Sequence, residues 1–513
     1  MRPELFERRF GRRGFLKMSA ALAAASLVPA GVIDVRRALA AGTLRQPGSL
    51  PFPTRPAGVP QPDLAPELAN IDHIIVVMME NHSFDNYFGM LPYRYPALSG
   101  RVDGWPALDS SGIPAVTQVD ASNVTQHSYR LVDGCQPLDI SQSWNASHLA
   151  YDGGQLDGFC KGSSKQALGF WDEQVLPFYY SLASLFPVCD RYFSSTLCQT
   201  YPNRVFAMAG TAAGLVSTDT PPPTVTPANG HIFDVLEAHS IGWADYYSEL
   251  PSPGLFGASW AAMREGTNLF GPSTAPQGAI AAFQAACNAG TLPPIVMVEA
   301  DYQWGSEENP QNIQVGQTFA AGVINALMSS PAWASSLLVF TYDEHGGYYD
   351  HVVPPAALNP GDGSHPNIAT TYGDDYTLLG FRVPTVIVSP WAKSGFTSHT
   401  VYDHTSILAT IERKFNLPAL TLRDANANDL SDCLVSSGPA PFATPPALAA
   451  APFRTEADSI ACEQTGSDPL PSSSAPEAPL TPLLLGGAAA GGAAATMLRR
   501  ARRGAPATPA NPV

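Results

Sequence analysis

Two runs of hydrophobic residues, each followed directly by polar ones, give the chain its clearest pattern. Residues 74–79 read I-I-V-V-M-M, and residues 337–342 read L-L-V-F-T-Y. Short runs of this kind fit strands that are buried on both faces of a parallel sheet. In open α/β sheets, ligands bind in the crevice outside the carboxyl ends of the strands. We therefore expect the polar residues that follow each run to face a binding site.

Weaker signals extend an alternation of strands and helices along the chain. Pro202 fits the first turn of a helix, where its missing N–H is not needed, and so places Thr200 at or just before a helix N-terminus. Strands that alternate with helices predict an α/β fold with a mainly parallel central sheet flanked by helices. Further strands are predicted at 243–247, 295–299 and 385–389, and helical segments at the starts of 144–159 and 177–193 and at 232–239, 278–287, 316–328 and 405–415.

The composition adds long irregular connections to this picture and excludes one class of partner. Of 513 residues, 45% are hydrophobic and only 14% are charged, while 49 are Pro and 43 are Gly. Such a balance favours long loops over a compact sheet rather than a helical bundle. The formal net charge of −16 argues against binding nucleic acid, whose backbone is itself negative.

The N-terminal 40 residues resemble a targeting signal. The string R-R-G-F-L-K (12–17) precedes an apolar stretch at 18–33, and A-L-A (38–40) offers a cleavage site. This pattern is similar to a twin-arginine signal peptide, which exports proteins already folded. An uncleaved membrane anchor is the alternative. Residues 41–69 are rich in Pro without periodicity and are predicted to form an extended arm.

The C-terminal end carries a second candidate address. The segment 70–435 is assigned to the catalytic domain, 436–479 to a linker rich in Pro, Ala and Ser, and 480–503 to an apolar segment closed by four arginines. An apolar stretch of about 20 residues with a basic stop is typical of a membrane anchor. A flexible secreted tail is the alternative, because the segment is rich in Gly and Ala.

Seven cysteines allow disulfides in an exported chain. Cys433 and Cys462 flank a stretch rich in Pro and Ala, so a bond between them would close it. The odd count leaves at least one thiol unpaired within the chain. No C-x-x-C motif occurs, and a structural zinc site is not expected.

The polar residues after the two hydrophobic runs offer oxygen ligands. Glu80 and Asn81 follow the first run, Asp343 and Glu344 follow the second, and Thr200 adds a hydroxyl. A metal held by carboxylates polarises a phosphoryl oxygen, and a helix N-terminus suits a phosphate. These residues would therefore suit phosphoryl transfer. By spacing alone each has an ordinary explanation as well: a solvated strand end, a helix cap, or a structural histidine.

Five motifs carry a resemblance to a known family. The string E-N-H-S-F-D-N-Y-F-G (80–89) is similar to a signature of the bacterial phosphoesterase family, which contains phospholipases C and an acid phosphatase and is related to the alkaline phosphatase superfamily. The resemblance covers about residues 70–416 and implies an alkaline phosphatase-like fold. The four further matching stretches are L-P-F-Y-Y (176–180) with C-D-R-Y-F (189–193), T-Y-P-N-R (200–204), D-E-H-G-G-Y-Y-D-H-V (343–352), and S-P-W-A-K-S-G-F (389–396) with H-T-V-Y-D-H-T-S-I-L (399–408).

The resemblance implies a role for each residue on a matching position. One divalent metal ion of unidentified kind would be held by Glu80, Asn81, Asp343 and Glu344. Thr200 would be the nucleophile and would form a phosphothreonine. The phosphate pocket would be shaped by Asn203 and Arg204, and the further catalytic candidates are His345, His351 and His404. Oxygen ligands suit Ca²⁺, Mn²⁺ or Mg²⁺, and Zn²⁺ is also compatible.

Two positions depart from the family pattern. Many members have a histidine where this chain has Gln142, and one or two histidines where it has Asn309. Both histidines would be expected to touch the phosphate or the leaving group. His148 and His82 are candidates to replace them.

These features predict an exported, metal-dependent phosphoesterase of the phospholipase C type, with phosphate esters, phospholipids among them, as substrates. An acid phosphatase acting on phosphomonoesters is the first alternative, since the residues do not separate monoesters from diesters. A non-catalytic surface protein on the same scaffold is the second alternative, prompted by the two absent histidines.

Overall fold

An eight-stranded sheet forms the centre of the protein in a computed structural model that describes residues 44–136, 140–219, 222–367 and 370–465. Two small two-stranded sheets lie outside it. The strands are β1 (His73–Met79), β2 (Thr117–Val119), β3 (Thr125–His127), β4 (Tyr129–Arg130), β5 (Gly169–Phe170), β6 (Val188–Cys189), β7 (Trp243–Tyr247), β8 (Leu269–Phe270), β9 (Ile295–Glu299), β10 (Ser336–Tyr342), β11 (Val386–Val388) and β12 (Thr397–Ser398).

The topology of the central sheet confirms the predicted fold class. The strand order is β12-β6-β11-β10-β1-β9-β7-β8. Only β11 runs antiparallel to its neighbours, and every other pair is parallel. The two hydrophobic runs became the adjacent central strands β1 and β10, and both are buried along nearly their whole length. The residues that follow these two strands therefore emerge side by side.

Helices cover the sheet and agree with the predicted segments to within a few residues. The largest shift of a helix start is at α10 (Ile313–Met328), which begins three residues before the predicted 316 because the side chain of Asn312 caps it by accepting from Gln314 N. The helices are α1 (Phe84–Phe88), α2 (Leu91–Arg94), α3 (Trp144–Tyr151), α4 (Phe159–Gly162), α5 (Pro177–Leu185), α6 (Thr200–Ala209), α7 (Ile232–Ala238), α8 (Ala258–Ala262), α9 (Ala279–Ala289), α10 (Ile313–Met328), α11 (Thr405–Phe415), α12 (Leu422–Ala425) and α13 (Glu456–Thr465). Short 3₁₀ helices connect them at Pro66–Leu68, Pro96–Leu98, Asp152–Gly154, Lys165–Leu168, Ser252–Phe256, Pro331–Ser335 and Leu430–Cys433.

The segment predicted as an extended arm is folded into turns that lie on the domain. Asn416 Nδ2 donates to three of its carbonyls, those of Phe52, Arg55 and Pro56, at 3.1–3.2 Å. Lys414 Nζ donates to Leu68 O at 2.8 Å. The arm is ordered because α11 supplies donors for its backbone acceptors, which a sequence pattern does not reveal.

The first part of the predicted linker is also packed onto the domain. Phe442 is buried against Phe186, with ring centroids 4.5 Å apart. Helix α13 lies against α10 and brings Cys462 to Cys135, with which it forms a disulfide. The prediction of a disulfide between Cys433 and Cys462 is therefore wrong. Cys433 Sγ lies 3.7 Å from Cys189 Sγ instead.

The two terminal addresses, residues 1–40 and 480–503, fall outside the described residues. Within the residues that are described, no helix combines the length and the apolar character needed to cross a membrane.

Candidate active site

The four predicted metal ligands come together at the paired ends of β1 and β10. Met79 lies opposite Tyr342 in the parallel register, so Glu80 and Asn81 emerge beside Asp343 and Glu344. All four side chains are buried, and Asn81 N donates to Asp343 Oδ1 at 3.3 Å. Strand pairing alone thus explains how two motifs more than 260 residues apart form one site.

The backbone at this site is unusual in two places. Asn81 has a φ of 70°, in the left-handed region that non-glycine residues rarely occupy. Gly346 has a φ of 65°, and a Cβ atom there would lie 1.9 Å from Asn81 O. Only glycine permits this approach of the two loops. The sharp turns direct the side chains of the two strand ends toward one another.

Three oxygen atoms of the four residues have no hydrogen-bond partner although they are buried. They are Glu80 Oε2, Asn81 Oδ1 and Glu344 Oε1. Burial and the charges of Glu308 and Asp343 raise the pKa of the Glu80 carboxyl. Burial and the charge of Asp343 do the same to the pKa of Glu344. Buried polar atoms normally have partners, and oxygens of this kind are the ligands of hard divalent cations. The residues present therefore fit the metal ion that the resemblance implied.

Thr200 occupies the first position of α6, the helix whose Arg204 donates to Asp343. The N-cap of this helix is the preceding residue, Gln199, whose side chain makes no capping bond. Thr200 therefore does not have the ordinary role of a helix cap. Burial and the charges of Glu80 and Glu308 raise the pKa of Tyr201, the next residue. Burial and the charge of Glu344 raise the pKa of Cys198 on the other side. Thr200 thus lies between two residues whose pKa values are raised by burial and by carboxylates of the site.

Asn203 supports the loop before Thr200 and has no donor left for a phosphate. Its Oδ1 accepts from Thr196 N at 3.0 Å. Its Nδ2 lies within 3.0–3.3 Å of the carbonyl oxygens of Thr196, Cys198 and Gln199. The side chain is fully buried. These bonds hold the loop that leads into the helix, so Asn203 would shape the phosphate pocket through this loop, which stays a prediction.

Arg204 is likewise engaged by protein groups. Its Nε donates to Asp343 Oδ2 at 3.1 Å, and its Nη2 donates to the carbonyls of Met78 and Met79 at 3.1 and 3.3 Å. The side chain therefore contacts the metal-site residues and the end of β1. The predicted part of Arg204 in shaping the phosphate pocket stays a prediction.

Two of the three predicted histidines touch the metal-site residues. His404 Nε2 lies 2.7 Å from Asp343 O, and burial lowers the pKa of His404 to about 4. His345 Nδ1 lies 3.2 Å from Glu344 Oε2, and burial lowers the pKa of His345 to about 3. Both rings are neutral at pH 7, and each is placed to orient a metal-site residue.

His351 belongs to a different cluster. Its Nδ1 lies 2.6 Å from Asp85 Oδ2, and its Nε2 lies 3.3 Å from Asp103 Oδ1. Among the described residues, Asp85, Asp350 and His351 are the one group of three acidic, histidine or cysteine side chains close enough to share a metal ion. Arg382 donates to both Asp85 and Asp350, at 3.0 and 2.9 Å. Its guanidinium already supplies the positive charge there.

The histidines suggested as replacements for those absent at Gln142 and Asn309 contact other protein groups. His82 stacks on Tyr87, with ring centroids 4.0 Å apart, and its Nδ1 lies 2.7 Å from Asn86 Oδ1. His148 Nδ1 lies 2.7 Å from Trp144 O. The Nδ1 atoms of both rings are thus engaged with protein groups, and a part for either ring in the reaction stays a prediction.

One charged residue at the site escaped the sequence analysis. Glu308 is half-buried, and its charge acts on both Glu80 and Glu344. It lies next to Asn309, in a segment without a strong hydrophobic or polar pattern. Glu308 lies close to Glu80 because Ser306, two residues earlier, accepts a hydrogen bond from Glu80 N at 3.0 Å.

Comparison with known proteins places the chain in a family. Its sequence matches the model of the Phosphoesterase family over residues 71–418. The chain belongs to the phosphoesterase family. This membership confirms the resemblance on which the site residues were predicted, and with it the prediction of a phosphoric ester hydrolase.

Relatives of this phosphoesterase include bacterial and plant proteins. It is 29% identical over 422 residues to phospholipase C B of Mycobacterium tuberculosis, covering 72% of this chain and 79% of the relative. It is 30% identical over 403 residues to non-specific phospholipase C3 of Arabidopsis thaliana, covering 72% of this chain and 74% of the relative. A solved structure from the alkaline phosphatase superfamily, from Vibrio parahaemolyticus, matches 68% of this chain and 79% of its own, with 12% identity and a TM-score of 0.32.

Proposed function

We propose that this phosphoesterase hydrolyses phosphate esters of the phospholipase C type, with a divalent metal ion at Glu80, Asn81, Asp343 and Glu344 and with Thr200 as nucleophile. The observation that carries the proposal is the set of three buried oxygens without partners beside the first turn of α6. The relatives named phospholipase C support the type of ester.

The chemistry of the chain's own residues follows from their places. Thr200 Oγ1 gives its proton to water and forms a bond to phosphorus, while the bond from phosphorus to the leaving alkoxide breaks and that alkoxide takes a proton from water. Water then attacks the phosphothreonine, and the bond from phosphorus to Oγ1 breaks and restores the hydroxyl.

The remaining side chains prepare this site. A divalent cation, when bound, supplies positive charge that lowers the pKa of a hydroxyl and polarises a phosphoryl oxygen. His404 and His345 orient Asp343 and Glu344 through the contacts at 2.7 and 3.2 Å. Asn203 fixes the loop before Thr200. Orienting contacts of this kind keep the ligands in place before substrate arrives.

Two substrates test the proposal. The purified protein, loaded with Mn²⁺ and separately with Ca²⁺, is assayed on p-nitrophenyl phosphorylcholine, a diester, and on p-nitrophenyl phosphate, a monoester. The proposal expects turnover of the diester in excess of the monoester. Preferential turnover of the monoester would favour the acid phosphatase alternative. A protein that binds metal but turns over neither substrate would favour the non-catalytic alternative.

We also propose that the protein is exported through residues 1–40 and held at a membrane by residues 480–503. The support is the twin-arginine string and the apolar segment with its basic stop. Replacement of Arg12 and Arg13 by lysine is expected to keep the protein inside the cell. Removal of residues 480–513 is expected to move it from the membrane fraction to the soluble exported fraction. An unchanged distribution in either case contradicts the corresponding part of the proposal.

A further inference from the structure

Arg204 joins the helix of the proposed nucleophile to both halves of the metal site. It lies four residues after Thr200 on α6, which is about one helical turn. Its guanidinium is buried and donates to Asp343 Oδ2 after β10 and to the carbonyls of Met78 and Met79 at the end of β1. One side chain thus connects the three segments whose separation determines the geometry of the reaction.

A second group of residues holds the guanidinium from the other side. Arg204 Nη1 donates to Ser252 Oγ at 3.3 Å, and the guanidinium lies over the ring of Tyr302 at 4.9 Å. The buried Glu299 carboxylate accepts from Ser252 N and Oγ at 3.0 Å and from Tyr302 Oη at 2.6 Å. Arg204 is therefore held between Asp343 on one side and, on the other, Ser252 and Tyr302, which both donate to Glu299.

These contacts leave Arg204 with little capacity for a ligand. An arginine has five N–H donors, and four of them are directed at protein oxygens here. A buried charge needs such partners to remain buried, so releasing them to a phosphate would be costly. The planar fork also matches its acceptors in a way that a lysine ammonium does not.

We propose that Arg204 is a positioning residue, supported by Ser252 and Glu299, that sets the separation between Thr200 and the carboxylates of the metal site and does not bind the phosphate. The inference rests on the function proposed above. It replaces the phosphate contact expected for this residue with a contact to the protein's own site.

The test uses Arg204→Lys, which keeps the charge and loses the fork. Three quantities are measured on the full protein: the Kd for Mn²⁺ alone by calorimetry, kcat and KM on the diester at saturating Mn²⁺, and the inhibition constant of inorganic phosphate. We expect Mn²⁺ to bind about tenfold more weakly and kcat to fall about 100-fold. KM and the inhibition constant of phosphate are expected to stay within about twofold.

Arg264→Lys is the matched control. Arg264 also donates through Nε and Nη2 to one carboxylate, that of Glu237, and lies 3.9 Å over the ring of Trp260. Among the described residues, none of the metal-site residues is in contact with Arg264, so its substitution is expected to leave all three quantities unchanged. Ser252→Ala is a second test variant, because it removes one hydrogen-bond acceptor of the Arg204 guanidinium and leaves the charge of Arg204 in place. It is expected to change kcat in the same direction as Arg204→Lys but by less.

The outcomes separate this inference from the proposed function. A raised inhibition constant for phosphate in Arg204→Lys assigns the residue to the phosphate and overturns the inference. So does a variant that matches Arg264→Lys in all three quantities. If Arg204→Lys does not fold, Ser252→Ala decides by the same criteria. A wild-type protein that neither binds Mn²⁺ nor turns over substrate contradicts the proposed function itself, and the inference falls with it.

Discussion

Met79 and Tyr342 pair directly across β1 and β10, and this pairing places Glu80 beside Asp343 at the same end of the sheet. Both strands run in the same direction, so each ends at the same level. Two carboxylates brought together in this way repel each other unless a cation lies between them. Burial raises the pKa of both side chains, and the charge of Asp343 raises that of Glu80 further.

Metal binding is the first consequence of this arrangement. Glu344→Gln removes one charge from an oxygen set that has no protein partner for Glu344 Oε1. We expect the variant to bind Mn²⁺ at least tenfold more weakly than the wild type. We also expect the wild type to melt at a higher temperature with Mn²⁺ than with a chelator, since about 2.7 kcal/mol follows from a ligand at 100 times its Kd. Calorimetry and thermal melts measure both effects.

The exposed Glu456 of α13 provides the control for that experiment. Glu456→Gln is expected to bind Mn²⁺ like the wild type. Equal affinity in Glu344→Gln and the wild type would remove Glu344 from the metal site.

The role of Thr200 as the nucleophile gives the second prediction. Thr200→Ala removes the hydroxyl at the first position of α6, and Thr200→Ser keeps it. We expect a loss of about 10³-fold or more in kcat for the alanine variant, with Mn²⁺ affinity retained, because covalent catalysis needs the oxygen. The serine variant should keep a measurable rate and form a phosphoserine in a rapid quench. Thr267→Ala, at an exposed position, should resemble the wild type. Full activity of Thr200→Ala would exclude it as the nucleophile.

The parts of this site that could be predicted are those that produce a recognisable pattern of residues in the sequence. β1 and β10 were predictable because a buried strand needs a continuous hydrophobic run, and parallel neighbours bring their ends together. β8 and β12 have two residues each, too few for a periodic signal. The roles of single residues came from the family motifs, whose spacing alone left ordinary alternatives open.

Contacts between distant segments lie beyond such reasoning. Glu307 accepts hydrogen bonds from the hydroxyls of Tyr87, Tyr179 and Tyr342, at 2.5–2.8 Å, and none of these tyrosines is near it in sequence. The oxygens that accept hydrogen bonds from Arg204 are similarly spread over three segments. A side chain's partners depend on the packing of the whole domain, and a local pattern records only that the side chain is polar.

His351 gives a prediction about stability and pH. Its imidazole faces Asp85, Asp103 and the cationic Arg382, with Asp350 beyond, and these acidic neighbours raise its pKa to about 10 against the opposing effect of burial. Because the folded pKa lies above the unfolded value of about 6.5, the stabilisation is full below pH 6.5 and is lost as the pH rises toward 10. We expect the stability of the wild type, relative to His351→Gln, to fall by on the order of 3 kcal/mol across this window.

Urea unfolding of the wild type and of His351→Gln at pH 6 and pH 9.5 measures this difference. His365→Gln is the control, because His365 is exposed although it also contacts a carboxylate, that of Asp375. It should show no comparable change across the same window. A difference between wild type and His351→Gln that does not vary with pH would contradict the ion pair in solution.

Glu308 predicts which esters the site prefers. Its charge acts on Glu80, Glu344 and Tyr201, so it lies near the place of the reacting phosphate. A phosphomonoester carries about two negative charges at neutral pH, and a diester carries one. The carboxylate therefore disfavours the monoester more. We expect Glu308→Gln to raise kcat/KM for p-nitrophenyl phosphate relative to p-nitrophenyl phosphorylcholine by about fivefold, as about 1 kcal/mol of charge interaction implies. Added salt should shrink the difference, since it screens exposed charges. Glu456→Gln should leave the ratio unchanged, and an unchanged ratio in Glu308→Gln would show that this charge does not select between the two esters.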